Sequence, residues 1–205
     1  MTRRLLEYGD SAVLVECPDL EDAVGLARRL DADPLDQVRE VIPGAQTLLL
    51  RLTGNLGAAD RARLLELEVK PATAQEQQRV TIQVDYDGED LEEVAQLTGL
   101  TPAEVVQAHA GQVWTVGFCG FAPGFAYLHG EDDRLRVPRR SAPRTRVPPG
   151  SVGLADQWSG IYPREGPGGW QLIGRTEQPM WDLEQDPPAL LQPGMQVQFE
   201  PRGTP

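Results

Sequence analysis

The sequence predicts an α+β N-terminal domain over residues 1–72 and a mainly-β barrel domain over residues 80–205. Three observations carry the prediction. The first 70 residues alternate between strand-like and helix-like spacing of apolar side chains. Residues Pro71 to Arg79 are polar and without periodicity, as a linker is. Beyond Gln112 helical signals stop, and short apolar runs are punctuated by proline and glycine.

The elements follow in order. Ala12 to Val15 reads as a strand, and Asp19 caps a helix whose apolar positions Leu20, Ala23, Val24, Ala27 and Leu30 fall at helical spacing, ending near Asp33-Pro34. Strands at Val38 to Ile42 and Thr47 to Leu52 flank the turn Pro43-Gly44, and Ala58 to Val69 resumes a helical pattern. The resulting β-α-β-β-α order predicts a small ferredoxin-like layer. After the linker come a strand at Val80 to Val84 and a helix at Leu91 to Leu97. Thr101-Pro102-Ala103-Glu104 then forms a capping box with proline at the first helical position, opening a helix that stops at Gly111 and carries Val105 and His109 on one face. Four later runs, Val113 to Phe118, Val152 to Leu154, Trp170 to Ile173 and Met195 to Phe199, read as barrel strands.

Composition excludes several classes of function. A net charge of −12 argues against a nucleic-acid partner, because phosphate contacts need clustered cations to displace counterions. No apolar run is long enough to span a membrane and no signal peptide is visible, so a cytoplasmic protein is expected. Cys17 and Cys119 match no metal-ligand spacing, and no metal site is expected.

The chemistry concentrates between residues 109 and 170. Gly117 to Leu128 holds three glycines, a proline and four aromatic rings, which suits the floor of a pocket. From Arg134 to Arg175 eight arginines stand against only Asp156 and Glu165, in a chain whose only lysine is Lys70. Arginine's planar fork suits a carboxylate or phosphate bound at two points, although each arginine could equally cover a surface and pair with nearby acids. Pro148-Pro149-Gly150 and Gly166-Pro167-Gly168-Gly169 are rigid turns whose amides could cradle an anion, or plain barrel connections. His109 could carry a proton or be a structural histidine, and His129 reads as surface loop. Ser151 lacks a nucleophile-elbow context, Cys119 reads as a small buried thiol, and no nucleotide-binding glycine loop is present.

With these residues laid out, the chain resembles the family of 5-oxoprolinase B subunits, also called allophanate hydrolase subunit 1 or Kip-type histidine-kinase inhibitors. The resemblance rests on Tyr8 to Ala12, Glu40 to Pro43 with Thr47 to Leu50, Gly120 to Leu128, Pro138 to Arg140 with Pro143 to Pro148, and Gly160 to Pro163 with Pro167 to Trp170. It implies a cyclophilin-like barrel behind the ferredoxin-like domain, and an enzyme component inactive alone. The A-type subunit and the C-type subunit, the latter with a related cyclophilin-like barrel, would complete it to open 5-oxoproline to glutamate, with ATP and Mg2+ bound only in the assembled complex. Regulation of a sensor histidine kinase, or a carboxyltransferase or allophanate hydrolase role, is the alternative. By position the resemblance implies His109, Arg139 and Arg144 as catalytic residues, and Phe121, Pro123, Gly124, Tyr127, Arg140, Tyr162, Gly169 and Trp170 as substrate-binding ones. The chain departs from the family pattern at Cys119, where a leucine is usual, and at Ala155-Asp156-Gln157-Trp158-Ser159-Gly160, where Ala-Gly-x-Gln-Thr-Gly is usual.

Overall fold

The structure is a computed structural model describing residues 2–69 and 78–203. Two compact units divide the chain, Met1–Gln77 and Gln78–Pro205. The linker read at residues 71–79 falls almost wholly outside the described residues. Both units mix helices with strands.

The first unit starts one strand earlier than the periodicity shows. β1 (Arg4–Glu7) precedes β2 (Ala12–Glu16), α1 (Leu20–Ala32), β3 (Val38–Pro43), β4 (Thr47–Leu52) and α2 (Ala58–Glu66). The four strands lie antiparallel in the order β1-β2-β4-β3, so β2 and β3 run parallel with β4 between them. Leu48 and Leu50 alternate inward along β4 and meet Ala23, Leu26 and Leu30 of α1, which burial fixes as the helix's inner face. Asp19 caps α1 by accepting from the Asp22 amide at 2.8 Å. Arg3 is buried and ties the helices together. Its Nε and Nη2 reach Asp22, and its Nη1 donates to the Leu64 and Leu67 carbonyls at the end of α2.

The second unit contains β5 (Arg79–Val84), α3 (Leu91–Thr98), α4 (Pro102–Ala110), β6 (Val113–Cys119), β7 (Ala126–His129) and a single 3-10 turn at Asp133–Leu135. β8 (Arg144–Val147), β9 (Ser151–Ala155), β10 (Trp158–Ile161), β11 (Gly166–Gly168), β12 (Gln171–Arg175) and β13 (Gln196–Pro201) follow. Seven strands form one curled sheet in the order β12-β9-β10-β7-β6-β13-β5, and β8 pairs separately with β11. The ends of β5 and β12 meet: Asp85 and Arg175 exchange backbone hydrogen bonds at 2.8 and 2.9 Å, and the Gly88 and Asp90 amides donate to Ile173 and Leu172. That contact protects backbone groups at both sheet edges. A side chain on Gly88 would run into the Leu172-Ile173-Gly174 backbone, so only glycine permits the approach.

The Thr101 box forms as the sequence predicts. Thr101 Oγ1 accepts from the Glu104 amide at 3.3 Å, and the Glu104 carboxylate accepts from the Thr101 amide at 2.7 Å. Thr101→Ala is expected to destabilise the second unit by about 1 kcal/mol. The measurement is urea unfolding followed by tryptophan fluorescence, since Trp114, Trp158, Trp170 and Trp181 all lie in that unit.

Candidate functional site

The turn between β6 and β7 is built from two nested bends. Ala122, Pro123, Gly124 and Phe125 have the pattern of a type II turn: proline at the second position, glycine with φ +82° at the third, and a Phe125 amide donating to the Ala122 carbonyl at 3.0 Å. A Cβ on Gly124 would lie 2.9 Å from the Met180 carbonyl oxygen, so glycine also permits a close seat on that segment. Just before it, the Ala122 amide donates to the Gly120 carbonyl at 2.8 Å, which makes Phe121 the centre of a γ-turn with φ +67°. This positive-φ form is rare and strained for a side-chain-bearing residue. Phe121 nonetheless remains 62% exposed.

An aromatic cluster lies under the turn. A register shift between Val116 and Phe118 leaves Gly117 unmatched in the β6–β7 ladder and sets Phe118 opposite Tyr127. Their rings stack at 4.2 Å. Phe125 meets Tyr127, Tyr162 and Trp170 edge-on at 5.1, 5.3 and 5.3 Å. Phe121 leans on Phe125 at 5.4 Å and on Tyr162 at 6.2 Å. Trp158 joins from β10, edge-on to Phe118. The unusual Asp156 beside it sits in a turn at φ +54° and pairs with Arg136 on the surface, so it points away from this cluster's chemistry.

The expected arginines separate in space. Arg134, Arg136 and Arg146 pair with Asp132, Asp156 and Glu165 on the surface, where such pairs contribute little. Arg140 and Arg144 instead converge on Asp90, whose side chain is 2% exposed. The Arg140 amide donates to the Gly169 carbonyl at 2.8 Å, holding this segment against the approach to Trp170. Arg139 is exposed and within electrostatic reach of Tyr162. Burial raises the Tyr162 hydroxyl's pKa, opposed by a hydrogen bond from the Trp170 backbone and by the charges of Arg139 and Arg144. Hydrogen bonding to Asp90 raises the Arg144 pKa and holds it charged.

His109 lies in another cluster. It is fully buried between Trp114 and Phe199, with Nδ1 at 2.8 Å from the Tyr86 hydroxyl and Nε2 at 2.8 Å from Ser159 Oγ. Desolvation lowers its pKa to about 3, so the ring is neutral. His129 closes β7 and packs edge-on against Trp158 instead of standing in a loop. Ser151 Oγ donates to the Pro148 carbonyl, burial raises the Cys119 thiol to about 11, and the Gly150 amide is taken by the Tyr162 carbonyl. The Gly150 turn is therefore a connection, with its amide spent inside the fold.

The sequence does not single out Asp90, and it marks Trp158 and Ser159 only as departures from the family pattern. A hollow of about 530 Å3 shares Tyr162 with the expected substrate-binding residues and takes in the Pro149-Gly150 turn and Arg175. Its charged groups are all paired, Arg175 with Asp87, and Asp85 and Glu177 with Arg202. Arg140 Nε and Arg144 Nη1, by contrast, are buried without a partner. These features make the aromatic cluster and the two arginines the candidate site.

Residues 3–191 match the family described as carboxyltransferase domain, subdomain C and D. The chain is 40% identical over 207 residues to the 5-oxoprolinase B subunit of Escherichia coli O157:H7, a match covering 95% of this chain and 94% of that one. It is 46% identical over 123 residues to the 5-oxoprolinase B subunit of Bacillus subtilis, covering 58% of this chain; this match spans about half, 51%, of the Bacillus protein. A solved structure of a conserved uncharacterized protein from Pyrococcus horikoshii superposes with a TM-score of 0.59 at 31% identity, over 97% of both chains. The chain belongs to this carboxyltransferase family, among the B subunits of 5-oxoprolinase.

Proposed function

We propose that the chain is the B subunit of an ATP-dependent 5-oxoprolinase, which opens the cyclic amide 5-oxoproline to glutamate when its A-type and C-type companions are present. The observation that carries this reading is the half-buried Arg140–Arg144 pair, with two buried, unpartnered N–H donors beside an aromatic wall. Such donors match the carboxylate of a small cyclic amide acid, and rings such as Tyr162 and Trp170 would exclude water around its apolar ring. Arg139 stands at the rim, and Pro123 and Gly124 shape the turn that presents Phe121.

The same donors fit phosphoryl oxygens. Among the described residues, however, no group of three or more His, Cys, Asp or Glu side chains could hold Mg2+, and the sequence has no phosphate-cradling glycine loop. ATP and Mg2+ in this reading are bound by the assembled complex, where nucleotide supplies the phosphorylation that activates the amide. Proton transfer by His109 would require opening the core, so this reading gives His109 a structural role. The order β1-β2-β4-β3 fits a ferredoxin-like layer whose outer strand comes from the N-terminus, and the curled seven-stranded sheet fits a cyclophilin-like barrel.

The test is reconstitution. This chain, purified and mixed with its A-type and C-type companions, ATP and Mg2+, is expected to convert 5-oxoproline to glutamate while ATP is hydrolysed to ADP and phosphate, and this chain alone to do neither. A complete mixture that consumes no 5-oxoproline sinks the reading.

A further inference from the structure

Three charged side chains meet where the arginine segment crosses the start of α3. Asp90 stands at the N-terminal boundary of α3, yet its side chain makes no capping hydrogen bond to that helix. Its Oδ1 accepts from Arg140 Nη1 and, at 2.7 Å, from Arg144 Nη2. Its Oδ2 accepts from the Leu172 amide at 2.7 Å. Glu89 and Glu93 also approach these arginines, but their side chains are 79% and 51% exposed, where water screens them. Asp90 is therefore the one buried carboxylate that two half-buried guanidinium groups share, with Glu89 and Glu93 pairing to them from the solvent side.

The unspent donors identify a ligand of opposite sign. Arg140 Nε and Arg144 Nη1 are both buried and both unpartnered, whereas buried N–H groups ordinarily find acceptors. Arg140 is tied through its amide to Gly169, and the strand carrying Arg144 pairs with Gly168. Both guanidinium groups thus hang on the segment that delivers Trp170 to the aromatic wall. We propose that Asp90 is a positioning residue: it locks Arg140 and Arg144 side by side so that their spare N–H donors read the carboxylate of the substrate. The inference rests on the 5-oxoprolinase reading above and narrows it. The substrate class becomes cyclic amides bearing a carboxylate, discriminated from the neutral lactam ring by this clamp.

Asparagine at position 90 cannot reproduce the arrangement. If its oxygen faces the arginines, its NH2 faces the Leu172 amide, donor against donor; if it turns, the NH2 faces the arginines. The test uses the assembled complex with wild-type chain, Asp90→Asn, Asp90→Glu and Arg144→Lys. It reads KM and kcat for 5-oxoproline and the inhibition constant of 2-pyrrolidinone, the same ring without the carboxylate. For Asp90→Asn and Arg144→Lys, KM is expected to rise about tenfold or more with kcat changing far less, while 2-pyrrolidinone inhibits within about twofold of wild type. Asp90→Glu, which keeps the charge, is expected to recover part of the KM. Unchanged KM in both variants overturns the proposal. So does a parallel rise of KM and the 2-pyrrolidinone constant, the mark of a merely structural clasp. Arg144→Lys keeps the test decisive if Asp90→Asn does not fold. If the wild-type complex consumes no 5-oxoproline, the enzymatic reading falls by itself. The clamp is then judged by equilibrium dialysis of 5-oxoproline against the full chain, where tenfold weaker binding by Arg144→Lys supports it and equal or absent wild-type binding overturns it.

Discussion

Replacing His109 by alanine is expected to cost the second unit about 3–5 kcal/mol, the range for removing a large ring from a packed core. Two costs combine. The imidazole stacks on Phe199 at 4.4 Å and packs 5.0 Å from Trp114, so its loss leaves a void between rings that cannot close without moving a helix or a strand. Its nitrogens are also the partners of Tyr86 and Ser159, whose hydroxyls would be left unpaired at about 1–3 kcal/mol for each buried group. Urea unfolding read by tryptophan fluorescence measures the loss. A fall of under about 1 kcal/mol would show that the ring is not a core element.

The same burial gives the wild-type protein a defined acid response. The folded pKa of about 3 lies below the ordinary value of 6.5. Above pH 6.5 the ring is neutral in both states and its full contribution is present. As pH falls below 6.5, the unfolded chain takes up a proton that the folded chain refuses until about pH 3. Stability then drops by about 1.4 kcal/mol per pH unit, or roughly 2 kcal/mol between pH 6.5 and 5. Carboxylates held low by hydrogen bonds, such as Glu104, Asp132 and Glu177, lose their contribution only at more acid pH. His109→Phe, which cannot titrate, is expected to flatten the slope in this window. Parallel curves for the two proteins would refute the assignment.

What was legible in the sequence was local. The Thr101 box and the Pro123-Gly124 turn are written in adjacent residues, because caps and turns are decided by side chains two or three positions apart. β1 escaped because four residues with two exposed ends carry too little alternation to register. β10 and β11 escaped because glycine and proline interrupt their apolar pattern, and β8 because three of its four residues are polar. Asp90 was illegible for a stronger reason: its arginine partners lie 50 and 54 positions away, and nothing in Gly88-Glu89-Asp90-Leu91 distinguishes a ligand for arginine from an ordinary helix start. The arginine cluster misled in the opposite direction. Close in sequence, it divides in space into surface ion pairs and one half-buried pair on Asp90. His109 could be singled out by type, but whether a histidine faces solvent or Phe199 depends on how α4 packs on β13, which periodicity does not reveal.

Phe121→Ala and Phe121→Gly are expected to lower kcat/KM of the assembled enzyme by about 10–100-fold, with the glycine variant the more stable of the two. The first expectation follows from position. A ring that is 62% exposed, set on a strained γ-turn, is unfavourable in the isolated chain on both counts, and such strain is characteristic of sites whose geometry is used. Covering a phenylalanine is worth about 1.5–3 kcal/mol, which converts to roughly 10–100-fold in affinity or rate. The second expectation separates the backbone from the ring. Alanine keeps the cost of φ +67° while losing the contacts to Phe125 and Tyr162; glycine loses the same contacts and relieves the strain. Glycine should therefore be more stable by about 1 kcal/mol in the urea assay. Equal catalytic loss with unequal stability would show that the exposed ring carries the function and the turn serves to hold it out. If both variants keep turnover within about twofold of wild type, the ring is a bystander, and the strain at Phe121 serves only the seating of Gly124 on Met180.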